Sequence, residues 1–78
     1  MQRKGETMTT LQDVPHISFC RITWVLSETG RKIMEFCHME EEERIRVIQN
    51  RNDGVIIDVH GKRYALDRDS ASLIRVDM

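Results

Sequence analysis

Residues 54–66, GVIIDVHGKRYAL, decide the fold. Apolar side chains occupy alternate positions in the first half of this stretch, which is the spacing of a β-strand with one buried face. These side chains are Val55, Ile57 and Val59. His60-Gly61 then predicts a tight turn, and residues 62–66 predict a short returning strand. The stretch is therefore typical of a β-hairpin.

A second hairpin is predicted immediately upstream. Residues 43–49 alternate with Ile45 and Val47 on the inner face, and the polar segment NRNDG follows. Asp53-Gly54 is a strong turn signal, because these residue types adopt the positive φ angles that tight hairpin turns need. Three strands are thus joined in series by two short turns.

Two further strands are predicted, one towards each end of the chain. Residues 73–77 form the last strand, with Ile74 and Val76 inward, after a capping-rich segment, residues 67–72, that suits one helical turn. Residues 18–26 alternate near the start of the chain. The pattern assigns to the inner face Cys20, Ile22, Trp24 and Leu26, and to the outer face Phe19, Arg21, Thr23 and Val25.

A short helix is predicted between the first two strands, over residues 31–39. Ile33, Phe36 and Cys37 share one helical face, and Thr29 supplies an N-cap oxygen. Four consecutive glutamates, Glu40–Glu43, follow and oppose the helix dipole, so we expect the helix to end near Met39.

Five short strands with few residues between them favour a small, closed, SH3-like β-barrel, because closure removes exposed strand edges. The fold class is mainly β, with one short helix and a helical turn. Residues 13–78 form the barrel, and residues 1–12 form a flexible N-terminal tail without periodicity. Two cysteines are too few for a disulfide scaffold in a domain of this size.

Length and composition exclude several classes of protein. The chain has 78 residues and a formal charge of −1, which fits one domain and disfavours a nucleic-acid partner. No apolar run is long enough for membrane insertion, and the N-terminus lacks a secretion signal, so we expect a cytoplasmic protein. No nucleophile constellation or phosphate-binding loop is present, so we expect no enzyme activity.

Two weak chemical signals remain. Cys37 and His38 lie beside Glu40–Glu43, and thiolate, imidazole and carboxylate suit Fe²⁺ or another transition metal. Alternatively Cys37 packs under the helix, His38 lies at its edge and the glutamates form a solvated charge run. The second signal is a modest basic strip that, with nearby Tyr64 as a stacking surface, would suit RNA. Its members are Arg44, Arg46, Arg51, Lys62 and Arg63.

Most of the chain resembles the ferrous-iron transport protein A (FeoA) family. Residues 54–76 are similar to the family's closing strands, with matches at Ala65-Leu66, Ala71, Ile74 and Val76. Upstream, RKIMEF at residues 31–36 resembles the start of the family's helix, and RIRVI at residues 44–48 resembles the next strand. The opening segment, residues 8–15, is also similar. The family usually has one glycine just after the helix and another a few residues on, where this chain has Cys37-His38-Met39 and four glutamates.

The resemblance implies an SH3-like, non-enzymatic accessory of ferrous-iron uptake. Such a protein would act by contact with the membrane permease and its attached GTPase domain (FeoB). The helix would be the first candidate for that contact, with Ile33, Met34 and Phe36 as apolar anchors. Two alternatives stay open: a small metal-binding or metal-sensing protein that uses Cys37 and His38, and a small-barrel RNA-binding module.

Overall fold

A computed structural model describes residues 9–25 and 27–78 and contains one five-stranded antiparallel sheet in the order β4-β3-β2-β1-β5. In chain order the elements are a 3-10 helix Leu11–Asp13, β1 Ser18–Val25, α1 Glu28–Phe36, β2 Arg44–Arg51, β3 Gly54–Val59, β4 Lys62–Leu66, α2 Arg68–Ala71 and β5 Ile74–Asp77. The mainly β, SH3-like fold with one helix and a helical turn is as the sequence predicts.

The core lies on the inner face of the sheet, where the alternation predicts it on β2, β3 and β5. The confirmed inward residues are Ile45, Val47, Val55, Ile57, Val59, Ile74 and Val76. Each aliphatic side chain of this kind stabilises the fold by about 1.5–3 kcal/mol when it is fully buried. The predicted helical turn is also confirmed, because the Asp67 carboxylate accepts a hydrogen bond from the Ser70 N–H (2.7 Å) and caps α2.

The predicted alternation fails in the second half of β1. Cys20 and Ile22 are buried as expected, but the pairing of β1 with β5 shifts between Ile22 and Trp24. A one-residue shift exchanges the two faces of a strand, so Val25 is buried and Trp24 is 43% exposed. The Arg75 guanidinium covers the Trp24 ring at 4.3 Å from its centroid. Leu26, which the pattern placed inward, lies outside the described residues.

The boundary of the predicted N-terminal tail is also wrong. The side chain of Leu11 is fully buried, and Thr10 forms a β-bridge with Arg75. The Val76 N–H donates to the Thr9 carbonyl (2.9 Å), and the Arg68 guanidinium donates to the Gln12 carbonyl (3.1 Å). Residues 9–12 therefore belong to the domain, because Leu11 adds a large apolar side chain to a thin core; residues 1–8 lie outside the described residues.

Both predicted hairpins form, but only one uses a glycine with positive φ. His60-Gly61 has φ angles of 54° and 85°, as a tight primed turn requires. In the β2–β3 hairpin the turn residues are Asn52 and Asp53, and Gly54 does not have positive φ. Gly54 is instead required by space, since a Cβ atom there would lie 2.6 Å from the Leu66 carbonyl oxygen on the neighbouring strand.

We therefore expect Gly54→Ala to destabilise the domain by about 1–3 kcal/mol, because β4 would have to move away from β3. Gly61→Asn is the matched control, since its site has open space and asparagine tolerates positive φ. Chemical unfolding of both variants measures the difference. Equal stability of the two variants would contradict the steric role of Gly54.

Candidate functional site

The candidate site centres on α1, which begins three residues earlier than predicted. Ser27, not Thr29, is the N-cap, and its Oγ accepts a hydrogen bond from the Gly30 N–H (3.1 Å). Gly30 is buried and packs closely against Leu73, so the start of the helix lies against the segment between α2 and β5. This contact fixes the direction in which α1 leaves β1.

The helix ends at Phe36, before the predicted Met39, in a Schellman motif. His38 has a φ of 58°, its N–H donates to the Glu35 carbonyl (3.2 Å), and the Met39 N–H donates to the Met34 carbonyl (2.8 Å). Met34 and Met39 are both buried, as the hydrophobic contact of this motif requires. A left-handed residue therefore ends the helix, and the glutamates lie beyond it.

The glutamate segment forms a turn in which Glu40, Glu41 and Glu42 are exposed to solvent, as the alternative interpretation predicts. The Glu43 carboxylate accepts from the Glu40 N–H (2.9 Å), and its other oxygen contacts the imidazole Nε2 of His60. Glu42 has a φ of 72°, and its carboxylate lies 3.6 Å from the Arg21 guanidinium. Two of the four carboxylates are therefore bound by neighbouring side chains.

The structure does not bring Cys37 and His38 together as a metal site. Cys37 is fully buried at the end of α1, whereas the His38 side chain is exposed. Burial raises the pKa of the Cys37 thiol, and it raises the pKa of Cys20 to about 11, which disfavours the thiolate that a metal binds. Within residues 9–25 and 27–78, no group of three or more His, Cys, Asp or Glu side chains is placed to hold an ion.

The three predicted contact residues of α1 differ in exposure. Met34 is buried and belongs to the core, so the expectation that it contacts a partner is corrected. Ile33 is half-buried, and Phe36 is 74% exposed. The ring of Phe36 contacts Tyr64 of β4 edge to face, with 6.1 Å between the ring centroids. We call Ile33, Phe36 and Tyr64 the α1 patch.

The aromatic residue beside the arginines of the predicted basic strip is Phe19 and not Tyr64. The guanidinium carbons of Arg44 and Arg46 lie 5.3 Å and 5.9 Å from the ring centroid of Phe19, which is 56% exposed on the outer face of β1. The alternation already placed Phe19 outward, but only the pairing Phe19↔Arg46 between β1 and β2 identifies its neighbours.

Comparisons with known protein families and solved structures give specific matches to this chain. The sequence profile of the FeoA domain matches residues 9–78. The chain belongs to the FeoA domain family. A search of curated protein sequences gave no significant match. The range matched by the profile includes residues 9–12, which the structure also places in the domain.

Solved structures show the same fold. A crystal structure of the iron uptake regulatory protein FeoA has a TM-score of 0.81 and 19% sequence identity, and the alignment covers 91% of this chain and 97% of that protein. Structures of ScaR with bound Zn²⁺ and with bound Cd²⁺ have TM-scores of 0.77 and 0.79 at 17% and 16% identity. The match covers 88% and 90% of this chain but only 36% and 35% of ScaR. At such identities, these similarities establish the fold alone.

The departure of this chain from the usual FeoA glycines now has a structural counterpart. Between α1 and β2, His38 and Glu42 adopt positive φ, in the segment where the family usually has glycine. The backbone turns of this segment are therefore made by residues that are less favourable in this conformation than glycine.

We expect His38→Gly to stabilise the domain by about 1 kcal/mol, because glycine has no Cβ to oppose the left-handed C′ position of the Schellman motif. Lys32→Gly, inside α1, is the control and should destabilise by a similar amount. Thermal unfolding compares the two variants. A loss of stability in His38→Gly would show that the His38 side chain has a role that its backbone does not explain.

Proposed function

We infer that this chain has a role in ferrous-iron uptake, which its membership of the FeoA family supports. We propose that this chain is a non-enzymatic, cytosolic accessory that acts by contact with the GTPase domain attached to the ferrous-iron permease (FeoB). The single observation that carries the proposal is the exposure of Phe36 at the end of α1. Within the part of the chain that the structure describes, no helix is long and apolar enough to span a bilayer.

The α1 patch has the composition of a small interaction site. Phe36 is a large apolar side chain held over the edge of Tyr64, and Ile33 lies one helical turn before it. Arg31, Lys32 and Glu35 are exposed around it and supply a polar rim. Aromatic side chains at the centre of such patches contribute most of the affinity in many interfaces. The patch is therefore our candidate for the partner contact.

The anchoring of the end of α1 to the core also favours this function. The Schellman motif fixes the end of α1 directly after Phe36, and burial of Met34 and Met39 anchors that turn to the core. A side chain that is already ordered loses less conformational entropy when a partner covers it. Met34 and Met39 would therefore favour partner binding by holding Phe36 in place, without contacting the partner themselves.

The alternative of a metal-binding or metal-sensing protein has less support. The ScaR structures contain Zn²⁺ and Cd²⁺, but this chain matches only about a third of ScaR. Cys37 lies in the core and His38 makes a helix-terminating turn, so neither side chain is arranged as a ligand. Contact with a protein partner is better supported by the described surface than metal binding is.

We expect Phe36→Asp to weaken binding of the purified GTPase domain by about 2 kcal/mol, or roughly thirty-fold, in isothermal titration calorimetry. The free domain should keep its circular dichroism spectrum, because Phe36 is exposed. Phe19→Asp makes the same change at the other exposed phenylalanine and should leave this affinity unchanged.

Met34→Asp provides the opposite control. Because Met34 is buried under α1, we expect this variant to lose its fold and not simply its binding. Undiminished affinity in Phe36→Asp, or equal losses in Phe36→Asp and Phe19→Asp, would contradict the assignment of the α1 patch.

A further inference from the structure

A second exposed surface lies on the outer face of the sheet, along β1 and β2. Arg44 and Arg46 flank Phe19, and together they line a shallow depression of about 450 Å³. Ile17, Ile48 and Arg51 line a second one of about 320 Å³. We call these six residues the arginine face. None of these six residues belongs to the α1 patch.

The guanidinium groups of Arg44 and Arg46 form no ion pair within the described residues, although Asp58 and Asp77 line the depressions beside them. Glu42 and Asp77 pair with Arg21, and Glu43 contacts the His60 imidazole. Arg44 and Arg46 contact the Phe19 ring and no carboxylate. Asp58 lies beside Arg46 in the sheet register, half-buried, and its Oδ1 accepts the Gly61 N–H (3.0 Å). A chain of net charge −1 thus has an outer face rich in arginine.

The apolar part of the face includes an energetically unfavourable residue. Ile17 has a φ of 52°, although β-branched residues are genuine outliers at positive φ. Its side chain is 74% exposed, so core packing does not compensate for the strain. Asparagine or glycine would adopt this backbone conformation more easily. An isoleucine that is strained and also exposed points to a contact outside the domain.

The shape of the face selects among possible occupants. The inner face of the sheet holds the core, and the depressions of the outer face are open and shallow. An extended peptide generally needs a groove or a free strand edge. Phe19 is the one aromatic residue of the face, and two guanidinium groups already lie against it, which leaves little surface for successive bases to stack on.

An anionic lipid bilayer matches each property of the face. It is flat, its headgroup phosphates bind guanidinium groups, and its headgroup–acyl boundary accepts protruding apolar side chains. We propose that the arginine face docks on anionic lipid surfaces, with Arg44, Arg46 and Arg51 at the headgroups and Ile17, Phe19 and Ile48 at the boundary below them. This inference goes beyond the proposed function and does not depend on it, since it needs no protein partner.

The test is co-sedimentation of the full chain with vesicles of equimolar phosphatidylcholine and phosphatidylglycerol, and with vesicles of phosphatidylcholine alone. We expect binding to the anionic vesicles only, and weaker binding as the NaCl concentration rises. The double variant Arg44→Gln/Arg46→Gln should bind about tenfold more weakly or worse, because each basic residue near an anionic surface contributes to binding. Arg31→Gln/Lys32→Gln removes the same charge from α1 and should bind normally.

Ile17→Asn separates surface contact from stability. This variant should raise the melting temperature, because asparagine tolerates the left-handed conformation, and it should weaken vesicle binding. Phe36→Asp should bind vesicles normally, so failure of this inference and failure of the proposed function are distinguishable. Equal losses in the two double variants, or undiminished vesicle binding in Ile17→Asn, would overturn the proposal. Loss of GTPase-domain affinity in Arg44→Gln/Arg46→Gln, without any vesicle binding by the wild-type chain, would assign the face to a protein and also overturn it.

Discussion

Two backbone hydrogen bonds at Ile22 join the acidic segment after α1 to the apolar strand β1. The Ile22 N–H donates to the Glu43 carbonyl (2.9 Å), and the Ile22 carbonyl accepts from the Glu42 N–H (2.7 Å). They attach the acidic turn to β1 just before β1 shifts its register against β5. Ile22 therefore supports three segments: the turn that follows α1, the start of β2 and the second half of β1. Its side chain is fully buried, so the core reinforces the same point.

Left-handed residues give the connections between elements their shape. Four non-glycine residues in the described segments have positive φ: Ile17, His38, Glu42 and His60. Each costs roughly 1–2 kcal/mol relative to glycine in such a position, which is large for a domain of marginal stability. The Glu42 side chain forms an ion pair with Arg21, and the His60 imidazole contacts the Glu43 carboxylate. At His38 the Schellman hydrogen bonds and the buried Met39 hold the backbone in place. Ile17 has no comparable side-chain compensation within the domain.

The two candidate surfaces are built by different means. The α1 patch lies at the end of a helix that is anchored by buried methionines, and its exposed centre is one aromatic ring. The arginine face is a property of strand register, because it exists only where β1 and β2 place Phe19 beside Arg46. Separate elements carry the two surfaces, so the proposed protein contact and the proposed lipid contact do not overlap. Substitutions at Phe36 and Phe19 address them independently.

The sequence by itself determined the strands β2 to β5, the inward residues of β2, β3 and β5, and the capped helical turn, because these follow from local periodicity and turn chemistry. It also showed a resemblance to the FeoA family, which the family profile confirmed. It also placed Phe19 outward. Only the tertiary structure decided the rest. The register shift after Ile22 reverses the faces of Trp24 and Val25. It arises from pairing with β5, which lies roughly 50 residues further along the chain. Likewise, Leu11 is core and Met34 is not a contact residue because distant elements cover them. Cys37 and His38 are neighbours in sequence, directly after the end of α1. Cys37 lies in the core, whereas His38 adopts the left-handed conformation and its side chain is exposed to solvent.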